Sequence, residues 1–245
     1  MRWRVPPMWE DGECWVIGGG PSMPRQFDVP EDVVQDVMSG RRRPSAYSDY
    51  LSPLHDRHVI GVNNAYQIGN WIDAVFFGDC AWYLAHRQAL AAFPGLKVTC
   101  CRRFDGRTRE QSEGVKYLAK DAEHRNGISS DPTAVSWNSN SGAAAISLAA
   151  HFGVRRIILL GFDMALDEKM VSHWHGSHGA GSPKPPFSRH LRGFPAIAQD
   201  AASREIEILN ASPSSAIAEF PKVQARGLLS SSGDSLKSPL SASKL

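Results

Sequence analysis

Short apolar runs alternate along the chain with longer segments of helical spacing. The runs close on Gly, Asn, Asp or another small polar residue, which is typical of buried parallel strands. Strands are predicted at Cys14–Gly18, His58–Asn63, Trp71–Phe77, Lys97–Cys100, Arg156–Leu160 and Ile206–Asn210. Helices are predicted at Pro30–Val37, Trp82–Phe93, Ser141–Phe152 and Phe187–Ala202, with Ser141 as N-cap and Gly153 as terminator of the third. The alternation predicts an α/β fold, an open and mostly parallel sheet with helices on both faces.

The pattern divides the chain into one domain and a tail. Residues 1–226 are predicted to form a single domain with this open sheet, and the Ser-rich residues 227–245 a disordered tail. Residues 102–130 are highly charged and weakly periodic, so they could be an insertion or a lid, with Val115–Leu118 as one strand inside it.

Composition narrows the class of protein. The chain has 245 residues, 42% of them hydrophobic and 21% charged, with a net charge of +2, which is ordinary for a soluble globular protein and indicates neither nucleic acid nor membrane binding. No apolar run approaches the length of a membrane span or a signal peptide, so a cytoplasmic location is expected. The terminal Ser243-Lys244-Leu245 matches a peroxisomal address, and we treat that match as coincidental.

Four cysteines lack any C-x-x-C spacing. Cys14 lies at the start of one predicted strand and Cys80 follows another, while Cys100 and Cys101 are adjacent. We therefore expect buried free thiols in a reducing compartment.

Two glycine-marked turns suit phosphate binding. Gly18, Gly19, Gly20, Pro21 and Ser22 follow the first strand, and Ser141-Gly142 opens the clearest helix. Glycines let a ligand approach the backbone closely, and a helix N-terminus carries partial positive charge. The first turn is neither a full G-x-G-x-x-G fingerprint nor a P-loop, and a purely structural turn is the alternative.

Further polar residues fall at the ends of predicted strands, where open α/β sheets bind ligands. Asn63 and Asn64 could contact a base or sugar, or could serve turn chemistry. Asp79 and Asp163 suit ribose hydroxyls or a divalent metal, with helix or turn capping as the alternative.

Histidines cluster after the most hydrophobic strand, at His173, His175 and His178. An imidazole with an ordinary pKa near 6.5 can take a proton from a hydroxyl at neutral pH, so His173 and His175 are the candidate catalytic residues. A metal site and a solvated loop are the alternatives. No zinc-like ligand spacing completes the cluster, and no metal ligand is predicted.

In this order and spacing the motifs resemble glycosyltransferase family 42, the bacterial sialyltransferases, from about Cys14 to Pro221. The resemblance rests on Gly18–Ser22, Val62–Tyr66, Ala74–Phe77, Ser141-Gly142, Ile158–Asp163, Ser172-His173 and Asn210–Ser214. The outline is also similar to proteins like the archaeal hydroxymethylpterin pyrophosphokinases, and to proteins found in phage genomes.

The resemblance implies a Rossmann-like sheet that holds a CMP-sugar donor and needs no metal cofactor. It implies that the Gly-Pro-Ser turn, Asn63, Ser141 and Gly142 contact the nucleotide, that Asp163 lies near it, and that His173 is the general base. The expected partners are a nucleotide-activated small molecule and a hydroxyl acceptor, and a homo-oligomer is possible.

Two departures from the family pattern leave other functions open. Gly19 stands where the family has Asn, and no tyrosine lies in the segment after Asp163 to support a leaving phosphate, for which Lys169, Arg189 or His190 could compensate. The alternatives are a Mg²⁺-dependent pyrophosphoryl transferase using Asp79 and Asp163, and a non-catalytic nucleotide-binding or structural phage protein.

Overall fold

A seven-stranded, all-parallel sheet organises the chain. The computed structural model describes residues 3–105, 114–176 and 186–231. The strands are β1 (Glu13–Ile17), β2 (His58–Val62), β3 (Ala74–Phe77), β4 (Leu96–Thr99), β5 (Val115–Tyr117), β6 (Ala119–Lys120), β7 (Ala134–Val135), β8 (Arg156–Leu160) and β9 (Glu207–Asn210). The helices are α1 (Ser22–Arg25), α2 (Glu31–Met38), α3 (Cys80–Ala91), α4 (Ser141–His151), α5 (Phe187–Leu191), α6 (Phe194–Ser203) and α7 (Ala225–Ser231).

The sheet order places a topological switch point between β1 and β8. The order is β5-β4-β3-β2-β1-β8-β9, and β6 and β7 form a separate two-stranded ladder. The chain thus moves outward from β1 to β5 and then returns to the other side of β1, where Ile17 pairs with Leu160. Open α/β sheets bind ligands in the crevice at the carboxyl ends of such strands.

Both faces of the sheet are covered, which explains why the strands read as continuous apolar runs. Along β1, Val16 packs in the core under α4 and α6, whereas Trp15 and Ile17 pack in the opposite core with residues of α2 and α3. The predicted Rossmann-like open sheet with helices on both faces is confirmed.

The segment predicted as one helix, Phe187–Ala202, is two helices. Gly193 separates α5 from α6, and a Cβ there would lie 2.6 Å from Asn138 Oδ1, so the chain approaches its neighbour too closely for a side chain. Pro195 lies in the first turn of α6, where its missing N–H costs nothing, and so starts a new helix.

The charged segment 102–130 contributes to the sheet. Val115–Tyr117 forms the edge strand β5, as the expected strand at 115–118 indicated. The side-chain amide of Asn138 accepts the Gly127 N–H and donates to Gly127 O. Asp200 accepts the Ile128 N–H at 2.7 Å. These bonds connect residues 127–128 to α6 and to the loop before α4. Residues 106–113, the rest of the lid candidate, lie outside the described residues.

The expectation of four free thiols is wrong for one pair. Cys80 and Cys101 form a disulfide across a Cα–Cα distance of 5.4 Å, because they follow the ends of the neighbouring strands β3 and β4. Cys14 and Cys100 are buried free thiols, and burial raises the pKa of Cys100 to about 12.

The expected start of the tail, residue 227, falls inside α7. Residues 232–245 lie outside the described part of the chain. Among the described helices, none combines the length and the apolar character that crossing a membrane requires.

Candidate functional site

The turns that follow β1 and β8 pack against each other at the switch point. Gly18 N–H donates to Leu160 O and Gly20 N–H to Gly161 O, both at 2.8 Å. A Cβ at Gly18 would lie 2.6 Å from Gly161 O, and Gly161 itself has φ +71°. The glycines at 18 and 161 therefore serve the mutual approach of two backbones.

Most N–H groups of the first turn already donate hydrogen bonds within the protein, so the turn offers a phosphate fewer donors than its glycines suggest. Ser22 N–H points to Asp163 Oδ2 at 3.4 Å, and Pro21 has no N–H. Among the hydrogen bonds of the described residues, none uses the N–H of Gly19. Gly19 is thus the one position of the turn whose amide remains available to a ligand.

Asp163 and Ser22 hold each other. The Ser22 hydroxyl donates to Asp163 Oδ2 at 3.0 Å, and both residues are buried. A Cβ at Gly20 would lie 1.8 Å from the same oxygen, so glycine at 20 makes room for the carboxylate. Burial raises the pKa of Asp163, while the Ser22 hydrogen bonds act in the opposite direction. In this structure the pair braces the turn.

Trp174 fastens the histidine segment onto the glycine turn. Its indole N–H donates to Gly18 O at 2.8 Å, and its backbone N–H donates to Gly19 O at 2.9 Å. The ring is 1% exposed and lies edge-on to Tyr47, whose hydroxyl donates to Trp174 O at 3.3 Å. Two carbonyls of the turn are therefore occupied by one residue.

The two candidate catalytic residues flank Trp174 and converge on Gly19. A Cβ at Gly19 would lie 2.7 Å from His173 Cδ2 and 3.6 Å from the Nε2 atoms of both His173 and His175. The two ring centroids are 5.1 Å apart. His173 Nδ1 lies 2.8 Å from Ser172 Oγ, an arrangement that can set the ring tautomer. His178 lies outside the described residues.

The N-terminus of α4 reaches the same place through Phe162. A Cβ on Gly142 would lie 2.9 Å from Phe162 Cε1, and one on Gly18 would lie 3.1 Å from the same ring. The predicted N-cap, Ser141, is wrong: Asn140 is the cap, and its Oδ1 accepts the N–H groups of Gly142 and Ala143. Ser141 is the first residue of the helix, beside the ring.

Of the other strand-end candidates, one keeps an unused polar atom. Asn63 has φ +50°, and its Oδ1 is buried without a hydrogen-bond partner among the described residues. Asn64 is buried and accepts the Trp82 indole N–H at 2.6 Å. Asp79 is exposed and caps α3 by accepting Ala81 N–H at 2.8 Å. The cap was the alternative given for Asp79, whereas the bond from Asn64 to Trp82 matches neither of the roles expected for Asn64.

The structure brings together the turn 18–22, Gly142, Asp163, His173 and His175. Sequence reasoning missed the anchor Trp174 and the cap Asn140. Asn140 had a local signal, since Asn directly before a helix is a favoured cap. Trp174 had none, because its partners lie far away along the chain. A cavity of about 140 Å³ opens beside Asp163 and Ser22, next to the segment 165–168 and Arg25.

The cations nearest this cavity are already paired. Lys169 forms an ion pair with Glu31, and Arg25 pairs with Asp167 at 2.8 Å. Lys169 is therefore engaged elsewhere and is a weak substitute for missing phosphate donors. Burial lowers the pKa of His190. Among the described residues no three His, Cys, Asp or Glu side chains gather where they could hold a metal ion.

No family model and no curated protein matches the sequence. Solved structures share the fold. One is the MAf glycosyltransferase from Magnetospirillum magneticum AMB-1, with a TM-score of 0.57 and 14% identity, covering 97% of this chain and 37% of that one. Another is the sialyltransferase CstII from Campylobacter jejuni in complex with CMP-3FNeuAc, with a TM-score of 0.50 and 14% identity, covering 94% of this chain and 93% of that one.

The chain therefore spans little more than a third of the MAf glycosyltransferase and nearly the whole of CstII. At these identities the likeness shows a shared fold. The structures with this fold are glycosyltransferases, and the comparisons lend no support to the pterin pyrophosphokinase part of the resemblance or to a phage origin. The chain has the open α/β fold found in these glycosyltransferases.

Proposed function

We propose that this protein transfers a sugar from a nucleotide-activated donor of the CMP type to a hydroxyl acceptor, with His173 as general base. The observation that carries the proposal is the pair of imidazoles packed against the glycine turn at the switch point of the sheet. This is the place where open α/β folds bind nucleotides. A titratable group there has access to both donor and acceptor.

The chemistry needs one proton acceptor and a bound leaving group. His173 Nε2 takes the proton of the acceptor hydroxyl as its oxygen bonds to the anomeric carbon of the donor. The bond from that carbon to the phosphate oxygen breaks, and its electron pair stays on the nucleotide. The contact between Ser172 Oγ and His173 Nδ1 fits the tautomer with its proton on Nδ1, in which Nε2 is the basic nitrogen, and the proposal uses that tautomer.

The nucleotide would be held by backbone and amide groups. Ser141 and Gly142 form the α4 terminus, and Gly142 lies beside Phe162. Among the described residues the N–H of Gly19 and the buried Oδ1 of Asn63 have no hydrogen-bond partner. Such an acceptor could receive a hydrogen bond from the amino group of a cytosine.

No contact among the described residues specifically favours the alternative of a Mg²⁺-dependent pyrophosphoryl transferase. Asp79 caps a helix and Asp163 is held by Ser22, so the two carboxylates proposed for the metal are each bound to a part of the fold. The non-catalytic alternative stays an outcome of the experiment.

The test is a titration with CMP, CDP, UDP, GDP and ATP, with and without Mg²⁺, followed by thermal unfolding. A ligand specific for the folded state stabilises it by about 2.7 kcal/mol at a hundredfold excess over Kd. We expect a metal-independent shift with CMP or CDP, and His173→Ala should abolish transfer while leaving the shift nearly unchanged.

His124→Ala is the matched control, because His124 is exposed and lies in the loop after β6. A shift only with ATP and Mg²⁺ would favour pyrophosphoryl transfer. Binding without turnover on any CMP-activated donor would favour the non-catalytic protein, and no shift at all would refute the nucleotide site.

A further inference from the structure

We propose that His175 and the N–H of Gly19 bind the phosphate of the donor, so that the two histidines divide the work of the site. This inference rests on the proposed function and deepens it by assigning the phosphate subsite. It is carried by the hydrogen bonds around Gly19 and by the position of the two rings.

The turn itself offers very little to a phosphate. Gly18, Gly20 and Ser22 direct their N–H groups at Leu160, Gly161 and Asp163. Within this turn, Gly19 is the residue whose N–H takes part in no hydrogen bond with the described residues, and one neutral amide is too few for a phosphate, which has several strong acceptor oxygens. Further donors must come from side chains that reach Gly19.

The side chains that reach Gly19 are the two imidazoles. Both Nε2 atoms lie 3.6 Å from the point where a Cβ of residue 19 would stand. Glycine leaves that volume empty of its own side chain, and the edge of the His173 ring occupies it. An oxyanion beside Gly19 can therefore meet the amide N–H and an imidazole N–H together.

The pair is held in place before any ligand arrives. Trp174, between the two histidines, is bonded to the carbonyls of Gly18 and Gly19, and the segment continues to Gly176, which lies against the backbone of Met38 at the end of α2. Preorganised donors of this kind lose little entropy on binding.

Mutual repulsion separates the roles of the two rings. With centroids 5.1 Å apart, two imidazolium ions would repel each other, so one proton is favoured over two. A bound phosphate attracts that proton to His175. His173, whose Nδ1 is engaged by Ser172, then stays neutral and can act as the base.

Three titratable groups of the surrounding elements have partners of their own. Asp163, after β8, accepts the Ser22 hydroxyl, and Tyr47 donates its hydroxyl to Trp174 O. Glu31 of α2 is paired with Lys169.

The experiment compares cytidine with CMP and follows the histidine ring signals by NMR. In the unsubstituted protein, inorganic phosphate should move the titration midpoint of His175 upward and leave that of His173 lower. His175→Ala should reduce the ratio of CMP to cytidine affinity by about tenfold or more, as expected for a lost hydrogen bond to a charged group. His175→Gln, which keeps an N–H donor, should recover part of the ratio.

Cytidine affinity serves as the internal test of folding, and His124→Ala should leave the ratio within twofold. An unchanged ratio in His175→Ala, or a phosphate-induced shift confined to His173, would overturn the inference. If neither cytidine nor CMP binds, the inorganic phosphate titration still decides it. Phosphate binding at His175 without turnover of any donor would refute the proposed function and leave this subsite standing.

Discussion

Adding one methyl group at Gly20 should lower the stability of the protein, whereas adding one at the adjacent Gly19 should mainly lower its activity. In Gly20→Ala the new Cβ would lie 1.8 Å from Asp163 Oδ2 and 2.6 Å from Gly161 O. The carbonyl cannot retreat easily, because it also accepts the Gly20 N–H at 2.8 Å. In Gly19→Ala the nearest atoms all belong to imidazole side chains, which can rotate away.

The size of the first effect follows from what must break. Displacing Asp163 forfeits a charge-assisted hydrogen bond, about 1.5–3 kcal/mol, and forcing the backbones apart costs about 1–3 kcal/mol. We expect Gly20→Ala to lose roughly 4 kcal/mol of unfolding free energy, or roughly 8–16 °C in Tm for a chain of this length.

The second effect is on function. Gly19→Ala should cost at most about 1 kcal/mol of stability, but His173 must move by an amount on the order of 1 Å, which can reduce a catalysed rate about a hundredfold. The assays are urea unfolding followed by tryptophan fluorescence, NMR of the histidine rings, and transfer from a CMP-activated donor.

Gly227→Ala is the matched control, because Gly227 lies within α7 and no described atom outside its own stretch of helix lies within 4 Å of the added Cβ. It should be neutral or stabilise by up to about 1 kcal/mol. The packing described for the turn is refuted if Gly20→Ala is no less stable than Gly19→Ala. Unchanged ring signals of His173 in a folded Gly19→Ala would refute the contact between that ring and the turn.

Three further substitutions test the roles assigned to neighbouring residues. Because burial raises the pKa of Asp163, ionising this carboxyl lowers the stability of the folded state as pH rises from about 4 through the folded-state pKa. The unfolding free energy of Asp163→Asn, relative to that of the parent protein, should therefore be higher at pH 7 than at pH 4.5 in urea melts. A difference that does not change with pH would contradict this. Asp79→Ala should cost about 1 kcal/mol in the same melts through its lost cap and leave CMP affinity unchanged; a loss of affinity would return Asp79 to the binding site. Cys80→Ser should lower the unfolding free energy by about 3 kcal/mol, given the sequence separation of 21 between Cys80 and Cys101. It should also abolish any effect of dithiothreitol on Tm. An effect of dithiothreitol that persists in this variant would refute the disulfide.

The sheet was predictable because its physical cause is local. A strand covered on both faces must be apolar at successive positions, and this signal identified β1, β2, β8 and β9 to within a few residues. The division at Gly193 was missed because what separates α5 from α6 is contact with Asn138, more than fifty residues earlier in the chain.

The site was predictable in its members but less so in their roles. The first glycine turn and the histidines, which the sequence marked as candidates, lie together at the carboxyl ends of β1 and β8. Whether an N–H in a turn is free depends on which other turn packs against it, and the Gly20 to Gly161 bond joins distant parts of the sequence. The same long-range pairing gives Asp163 its partner Ser22. The Cys80–Cys101 disulfide likewise depends on the pairing of two strands, β3 and β4.

The bare glycine at position 19 and the His-Trp-His segment are parts of one arrangement. Compared by motif alone, Gly19 looks like the loss of a side chain from the site. In the structure the vacant volume is filled by the ring edge of His173, and Trp174 fixes the segment to the carbonyls on either side of the Gly18–Gly19 peptide. A side chain at 19 and a histidine in this position exclude each other sterically. In the proposed site, polar groups from the loop after β8 replace what the first turn cannot supply. A substitution at Gly19 should therefore alter the environment of His173, and a substitution at His173 that of Gly19.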